Sequence, residues 1–191
     1  MTEMSAIHEQ LENDHKELDI LIDRTMAAIE AGDATETFAN LDFFWARLGV
    51  HIRAEHLRLF PAVRDVAQRS SELENIPEIL GVLREDHDYF MTELARAMKA
   101  MRLVFSFGNE AETFAVVREL LQGVIERLKI HNEIEEQQIY TLTGDAFLEP
   151  AAAEELLSSV RAELGRYPNR FRDAEAPKDS RSAAKRTKGR Q

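Results

Sequence analysis

The residues of this sequence that could do chemistry are two pairs of histidine and glutamate with the same spacing. His51 is followed four residues later by Glu55, and His131 is followed four residues later by Glu135. Residues four apart on an α-helix share one face and lie about 6 Å apart along the axis, so each pair can direct one nitrogen and one carboxylate to a common point. This arrangement, present twice, predicts a metal-binding site.

A second histidine lies upstream of each pair and completes the repeat. It is His15 in the first copy and His87 in the second, and each directly follows an aspartate. Gly32 lies 17 residues after the upstream histidine of its copy and 19 before the downstream one, whereas Gly108 lies 21 after and 23 before. Both arms of the second copy are four residues longer, about one helical turn, so the histidines of each copy are expected to stand level above their turn.

Helix signals place these residues on four long helices followed by a short one. Each glycine precedes a residue that caps helix N-termini, Asp33 or Asn109, with a glutamate three residues later, as in two tight helical hairpins. Pro61 is expected to end or kink the second helix. The hydrophobic periodicity and these signals predict helices over residues 5–31, 34–60, 75–107, 110–142 and 151–164.

Composition fits a compact helical protein. The chain has 191 residues, 44% of them hydrophobic, with few glycines and prolines. The predicted fold is all-α: an up-down-up-down four-helix bundle over residues 1–148, a short fifth C-terminal helix over 149–165, and a disordered basic tail over 166–191. The N-terminus does not resemble a secretory signal and no apolar run reaches 18 residues, so we expect a cytoplasmic protein without a membrane partner.

Charge is distributed unevenly along the chain. Residues 166–191 hold nine lysines and arginines against three acidic residues, which leaves residues 1–165 with −17 of a total charge of −11. An acidic body argues against nucleic-acid binding on the bundle itself. The tail is too polar to fold alone and is interpreted as solubilising, the alternative being that it docks to an acidic partner or nucleic acid.

The predicted ligands favour a pair of transition-metal ions. The sequence has no cysteine, so nitrogen and oxygen must hold any metal. Two carboxylates buried side by side repel each other, and divalent cations compensate them. Four imidazoles with Glu55 and Glu135 as bridges suit iron better than a closed tetrahedral zinc site, with two terminal histidines on each ion. Which histidines share an ion is left open.

The sequence resembles the hemerythrin-like HHE cation-binding domains over about residues 7 to 142. The resemblance rests on His15, His51-x-x-x-Glu55 followed by Leu59-Phe60-Pro61, His87, and His131-x-x-x-Glu135 followed by Ile139-Tyr140. It implies a four-helix bundle around two non-heme iron ions with a bridging oxo or hydroxo ligand. These ions would be held by His15, His51, Glu55, His87, His131 and Glu135.

Two features separate this chain from oxygen-carrying hemerythrins. Those proteins carry a second histidine four residues after the one on the third helix, where this chain has Met91, and end with His-x-x-x-x-Asp where this chain has His-x-x-x-Glu. The four-histidine, two-glutamate set looks more like the di-iron domain of the repair-of-iron-centres proteins. Their cysteine-bearing N-terminal segment has no counterpart in this sequence.

Function is expected to follow from the number of ligands. Two histidines, two bridging carboxylate oxygens and one bridging oxygen fill five positions on each iron and leave a sixth open, so we predict a protein that binds or reacts with O2, NO or peroxide. The alternative is a sensing or iron-handling module that signals through a partner or its basic tail. A ferritin-like oxygenase, which needs Glu-x-x-His on two helices, fits only at Glu12 and His15, and a structural bundle with incidental metal remains a further alternative.

Four other histidines and aspartates lie close to the predicted ligands in sequence. His56 points about 100° away from Glu55 on a helix and is expected to miss the metal. His8 is expected to face solvent. Asp14 and Asp86 each precede a ligand histidine, and hydrogen bonding from them to another histidine is left as a hypothesis.

Overall fold

The computed structural model describes residues 4–107 and 110–166, and all regular structure in these two ranges is helical. Within them, the predicted all-α class is confirmed. The α-helices are α1 (Ala6–Ala31), α2 (Ala34–Ala54), α3 (Phe60–Ala67), α4 (Ile76–Phe107), α5 (Glu110–Ile134) and α6 (Pro150–Leu164).

The first hairpin has the predicted turn. Gly32 ends α1 in the left-handed conformation (φ 68°), and its N–H donates to carbonyls of the last turn of α1. Asp33 then caps α2 by accepting a hydrogen bond from the backbone N–H of Glu36 at 2.9 Å. Glycine suits position 32 because a residue with a side chain would be strained at this positive φ. The predicted turn at Gly108 and Asn109 lies outside the described residues.

Two π-turns interrupt the helices, each beginning at the glutamate of a predicted metal-ligand motif, and neither was predicted. The first π-turn is Glu55–Leu59 and the second is Glu135–Ile139. In each, the N–H of the next residue bonds to the glutamate carbonyl five residues back, at Phe60 and at Tyr140. A π-turn adds one residue to a helix and rotates everything after it.

The second helix was predicted to end or kink at Pro61, and the end of the helical segment was placed wrongly. The chain stays helical through the first π-turn and through α3 to Ala67. Pro61 lies in the first turn of α3, after the π-turn has already broken the α-helical hydrogen-bond pattern. A proline there removes no hydrogen bond that the first turn of α3 would have made.

Helix contacts define a bundle with a polar layer inside it. Helix α1 packs on α2 and α5, and α4 packs on α2 and α5, which is consistent with the predicted bundle. On each of these four helices, a buried histidine separates residues of two apolar clusters, one towards the α1/α2 turn and the other towards α6. Buried core residues that flank the histidines are Leu11, Leu18, Leu48, Ala54, Leu83, Phe90, Leu128 and Ile139.

The short C-terminal helix is present where it was predicted and is packed onto the bundle. Helix α6 contacts α1, α2 and the first π-turn, and it contributes Leu156, Val160 and Leu164 to the apolar cluster. The division of the chain at residues 148 and 165 stays a prediction. Beyond Arg166, the predicted basic tail lies outside the described residues. No helix in the described part of the chain is both long and apolar enough to span a bilayer.

Candidate metal centre

The structure brings all six predicted ligand side chains together in the polar layer, and none is more than 3% exposed. Their donor atoms form two groups of four in which all atoms lie within 4.8 Å of one another. The groups are His15, His51, Glu55 and Glu135, and Glu55, His87, His131 and Glu135. Both glutamates therefore belong to both groups, as bridging ligands would.

The pairing of histidines, which the sequence left open, follows the two hairpins. Nε2 of His15 lies 3.1 Å from Nε2 of His51, and Nε2 of His87 lies 3.0 Å from Nε2 of His131. We call His15 with His51 the first half-site and His87 with His131 the second half-site. Each half-site is contributed by one helical hairpin.

Each glutamate directs one oxygen to each half-site. Oε1 of Glu55 lies 3.3 Å from Nε2 of His51, and its Oε2 lies 3.2 Å from Nε2 of His87. For Glu135, Oε2 lies 3.4 Å from Nε2 of His15 and Oε1 lies 3.1 Å from Nε2 of His131. The two carboxylates thus span the gap between the half-sites from opposite helices.

In each half-site, one aspartate orients one of the two histidines. Asp14 lies 2.8 Å from Nδ1 of His51, and Asp86 lies 3.1 Å from Nδ1 of His131. Because an ionised carboxylate only accepts, Nδ1 of each ring carries a proton and donates it to the aspartate, which leaves Nε2 as the ring atom that faces the centre. The hypothesis that Asp14 and Asp86 bond to another histidine is therefore supported, each reaching across to the neighbouring helix.

An arginine stands behind each aspartate. Arg47 forms an ion pair with Asp14, and Arg127 contacts Asp86 at 2.5 Å. Both arginines lie four residues before a predicted ligand histidine. One helix turn therefore supplies both the histidine and the arginine that pairs with the aspartate bound to that histidine. Arginine, aspartate and histidine thus form a chain of polar contacts in each half-site, which is buried in the first and partly exposed at Arg127 in the second.

The residues after the two glutamates hold the remaining histidines. Glu136 Oε1 lies 2.8 Å from Nδ1 of His15, and His56 Nε2 lies 2.8 Å from Nδ1 of His87. His56 therefore lies behind a predicted ligand and outside both groups of four, as expected. The role of Glu136 was not predicted, although it is the equivalent of His56 in the repeat.

Tyr140 is the main residue that sequence reasoning missed. Its fully buried hydroxyl donates to Glu55 Oε1 at 2.7 Å and lies 3.1 Å from Glu135 Oε2 and 3.0 Å from His15 Nε2. The available signal was its spacing, since Tyr140 follows His131 by nine residues as Phe60 follows His51. In addition, His8, expected to face solvent, is half-buried with its ring edge-on to Tyr140 at 5.7 Å.

The buried carboxylates and imidazoles of the centre shift each other's pKa values in the directions that favour positive charge beside the carboxylates. Burial opposes a charged imidazole, but Glu135, Asp86 and Glu55 raise the pKa of His131 to about 9. Burial likewise opposes ionisation of Glu55, yet His51 and His87 hold its pKa well below the usual range. A metal ion bound by the same atoms would take the place of ring protons.

The donor set fits a cation on geometric grounds. Within each half-site two Nε2 atoms face each other at hydrogen-bond distance, and at His51 and His131 the ring proton is engaged on the other side. Glu55 Oε2 and Glu135 Oε1 have no hydrogen-bond partner among the described residues, although each lies near an Nε2 atom. A cation that replaced the protons between these Nε2 atoms would be held by the converging lone pairs of nitrogen and oxygen.

A cavity reaches the first half-site from the surface. It lies between α1 and α5, has a volume of about 520 Å³, and is lined by His15 and Glu136 among other residues. Glu12, Asp19, Asp23 and Glu133 make much of its wall acidic, with Lys16 and Lys129 beside them. The edge of the centre at His15 is therefore close to solvent.

Comparison with known proteins gives one match. Residues 6–143 match the family model described as the hemerythrin HHE cation binding domain. No curated protein and no solved structure matches the chain.

Proposed function

Because the chain belongs to the hemerythrin HHE cation-binding domain family, we propose that it is a non-heme di-iron protein that binds or reacts with O2, NO or peroxide. Two iron ions with a bridging oxo or hydroxo ligand would be bound, one at each half-site. The proposed ligands are His15, His51, Glu55, His87, His131 and Glu135.

The observation that carries this proposal is the position of the two buried glutamates. Glu55 and Glu135 each place one carboxylate oxygen near either half-site, so two cations can share both carboxylates. Four imidazoles and two bridging carboxylates suit iron, whereas magnesium and calcium call for oxygen ligands. With two histidines, two carboxylate oxygens and a bridging oxygen, each ion would keep one position for a small ligand.

Two iron ions in the reduced state would supply electrons to a small oxidant at those positions. The protein's own residues supply the surroundings. Apolar side chains on both sides of the layer exclude water, and the cavity at His15 offers a small ligand a route to the centre. Tyr140 holds a proton on its hydroxyl, because burial together with Glu135 and Glu55 raises its pKa well above the ordinary value.

The first test is metal content and reactivity. Protein purified without oxygen should contain two iron ions per chain, and the reduced protein should develop new visible absorption when NO or hydrogen peroxide is added anaerobically. The double variant Glu55→Ala, Glu135→Ala should lack both the iron and the response. An iron-loaded protein whose spectrum is unchanged by either reagent would contradict the proposed reactivity.

A second candidate function is an iron-sensing or iron-handling module. One contact favours it: Glu163 of α6 bonds to Arg53 and Arg58, which flank the proposed ligand Glu55 in sequence. Movement of the first π-turn on metal loss would therefore reach α6 and the basic segment that follows it. Limited proteolysis should then cleave after residue 164 at different rates with and without iron, and equal rates would exclude this function.

A further inference from the structure

The two half-sites are built to one plan. Residues equivalent in the internal repeat make the same contacts, with aspartate holding the downstream histidine and arginine holding the aspartate. The equivalent pairs are Asp14 and Asp86, His15 and His87, Arg47 and Arg127, His51 and His131, and Glu55 and Glu135. Any difference between the half-sites must therefore come from the positions that break this equivalence.

The first break is the residue after each bridging glutamate. Glu136 accepts a hydrogen bond from His15 in the first half-site, whereas His56 bonds to His87 in the second, both at 2.8 Å. A carboxylate behind an imidazole increases electron density on the ring and adds a negative charge close to any ion that the ring binds. An imidazole in the same place adds no such charge.

The second break is the residue three before the upstream histidine. It is Glu12 in the first half-site and Arg84 in the second. Arg84 lies over the ring of Phe60 at 5.8 Å, and Phe60 stacks on His87 at 5.9 Å. Its Nε is buried and has no hydrogen-bond partner among the residues that the structure describes. This guanidinium puts a positive charge beside the second half-site.

One pair of equivalent residues gives the first half-site the more positive charge, but that charge is exposed to solvent. Lys16 corresponds to Asp88, and Lys16 forms an ion pair with Glu12 at 2.6 Å. The Lys16 side chain is 62% exposed, so water and salt screen its charge. Tyr140, whose equivalent is Phe60, also contacts the first half-site, but its hydroxyl keeps its proton and adds no charge. After the Lys16 pair is allowed for, Glu136 still leaves the first half-site the more negative of the two.

We propose that the two cation positions are unequal, and that the position at His15 and His51 binds its ion more tightly and is filled first. The position at His87 and His131 is then the one that gains and loses its ion at low metal concentration. Glu136 and His56 act as positioning residues that set this order through the rings they hold. The inference rests on the proposed function, since it assumes that both half-sites bind metal.

The test is a titration of the full-length, chelator-treated protein with Co²⁺ alone, followed by calorimetry and by the visible spectrum. Two cations that share carboxylates repel each other, so two steps would appear even in a symmetric site. The decisive result is therefore which half-site fills first. The variant His51→Ala should lose the tight step, whereas His131→Ala should keep it.

The positioning residues supply the sharper comparison. Glu136→Gln keeps an acceptor for His15 but removes the negative charge behind its ring, and it should weaken the first step by about 10- to 100-fold, the usual range for changing a residue that supports a metal ligand, and leave the second within about threefold. Glu133→Gln is the matched control, because it makes the same charge change at an exposed position three residues earlier, in the last turn of α5, and should alter neither step. The exchange variant Glu136→His, His56→Glu should reverse the order.

The possible failures are distinguishable. If Co²⁺ does not bind at all, the proposed metal site fails together with the inference. If two ions bind but His51→Ala keeps the tight step and His131→Ala loses it, only the proposed order is overturned. It is also overturned if Glu136→Gln and Glu133→Gln change the first step equally, because the effect would then come from net charge rather than from the ring of His15.

Discussion

One hydroxyl group breaks the symmetry at the middle of the centre. Tyr140 and Phe60 occupy equivalent places after the two π-turns, but the hydroxyl of Tyr140 contacts the carboxylates of Glu55 and Glu135, and Phe60 has no hydroxyl. Phe60 instead stacks on His87. The tyrosine hydroxyl is thus a hydrogen-bond donor for two buried glutamates that otherwise meet only imidazoles, and its removal leaves acceptors without a partner.

We therefore expect Tyr140→Phe to destabilise the chelator-treated protein by about 1–3 kcal/mol, the usual cost of an unpaired buried polar group. Urea denaturation followed by circular dichroism measures this. Tyr89→Phe is the control, since it removes the same hydroxyl from a half-buried position on α4 away from the carboxylates. Equal, small effects of the two substitutions would show that the Tyr140 hydrogen bonds contribute nothing.

At the scale of elements, the buried carboxylate of Glu163 links helix α6 to α2 and to the first π-turn. Glu163 is 1% exposed and accepts hydrogen bonds from Arg53 at 2.9 Å and Arg58 at 2.7 Å, with Arg166 at 3.3 Å. These arginines are themselves about half exposed and cover the carboxylate from the solvent side. Hydrogen bonds from Arg58 and Arg53 lower the pKa of Glu163 below its usual value.

The lowered pKa of Glu163 determines how the stability contributed by this carboxylate changes with pH. A carboxyl group with a lower pKa in the folded state stabilises the protein above its unfolded pKa, and this stabilisation is lost as the pH falls through the folded value. Glu163→Gln should therefore cost about 1–2 kcal/mol at pH 7, allowing for solvent screening of half-exposed arginines. The difference from the parent protein should shrink below about pH 4.5.

Urea denaturation at a series of pH values from 7 to 3.5 measures this difference. Glu155→Gln, at an exposed position on the same helix, is the matched control and should change stability little at any pH. A destabilisation by Glu163→Gln that stays constant down to pH 3.5 would contradict the role assigned to the charge.

For the whole molecule, the centre is the place where both helical hairpins meet. The proposed ligands come from α1, α2, α4 and α5 and from the two π-turns, so bound ions would join elements that are far apart in sequence. A ligand that binds only the folded state stabilises it in proportion to the logarithm of its concentration over Kd. Metal binding should therefore be visible in global unfolding.

We expect iron at about 100 times its Kd to raise the stability by about 2.7 kcal/mol, or Tm by about 5–10 °C for a chain of this size. Thermal unfolding under anaerobic conditions, with and without Fe²⁺, measures the shift. Glu55→Ala and Glu135→Ala should each reduce it strongly, whereas Glu85→Ala, at an exposed position on α4, should keep it. A shift that survives in both ligand variants would place the metal elsewhere.

The sequence by itself determined the helices and the residues available to a metal, because both depend on local spacing. A glutamate four residues after a histidine shares its helix face whatever the rest of the chain does, and Gly32 with Asp33 marks a turn without reference to distant residues. The equal arms of each copy also placed the histidines at one level. These are the features that the structure reproduces within the residues it describes.

Only the tertiary structure decided which residues meet across helices. The pairing of His15 with His51, the contacts of Asp14 and Asp86, and the inward position of Tyr140 depend on how each helix is rotated against its neighbours. Each π-turn shifts that rotation by about one residue, or about 100°, after its glutamate. Such a shift is set by packing and by hydrogen bonds made across the bundle, so no periodicity within a single helix contains it.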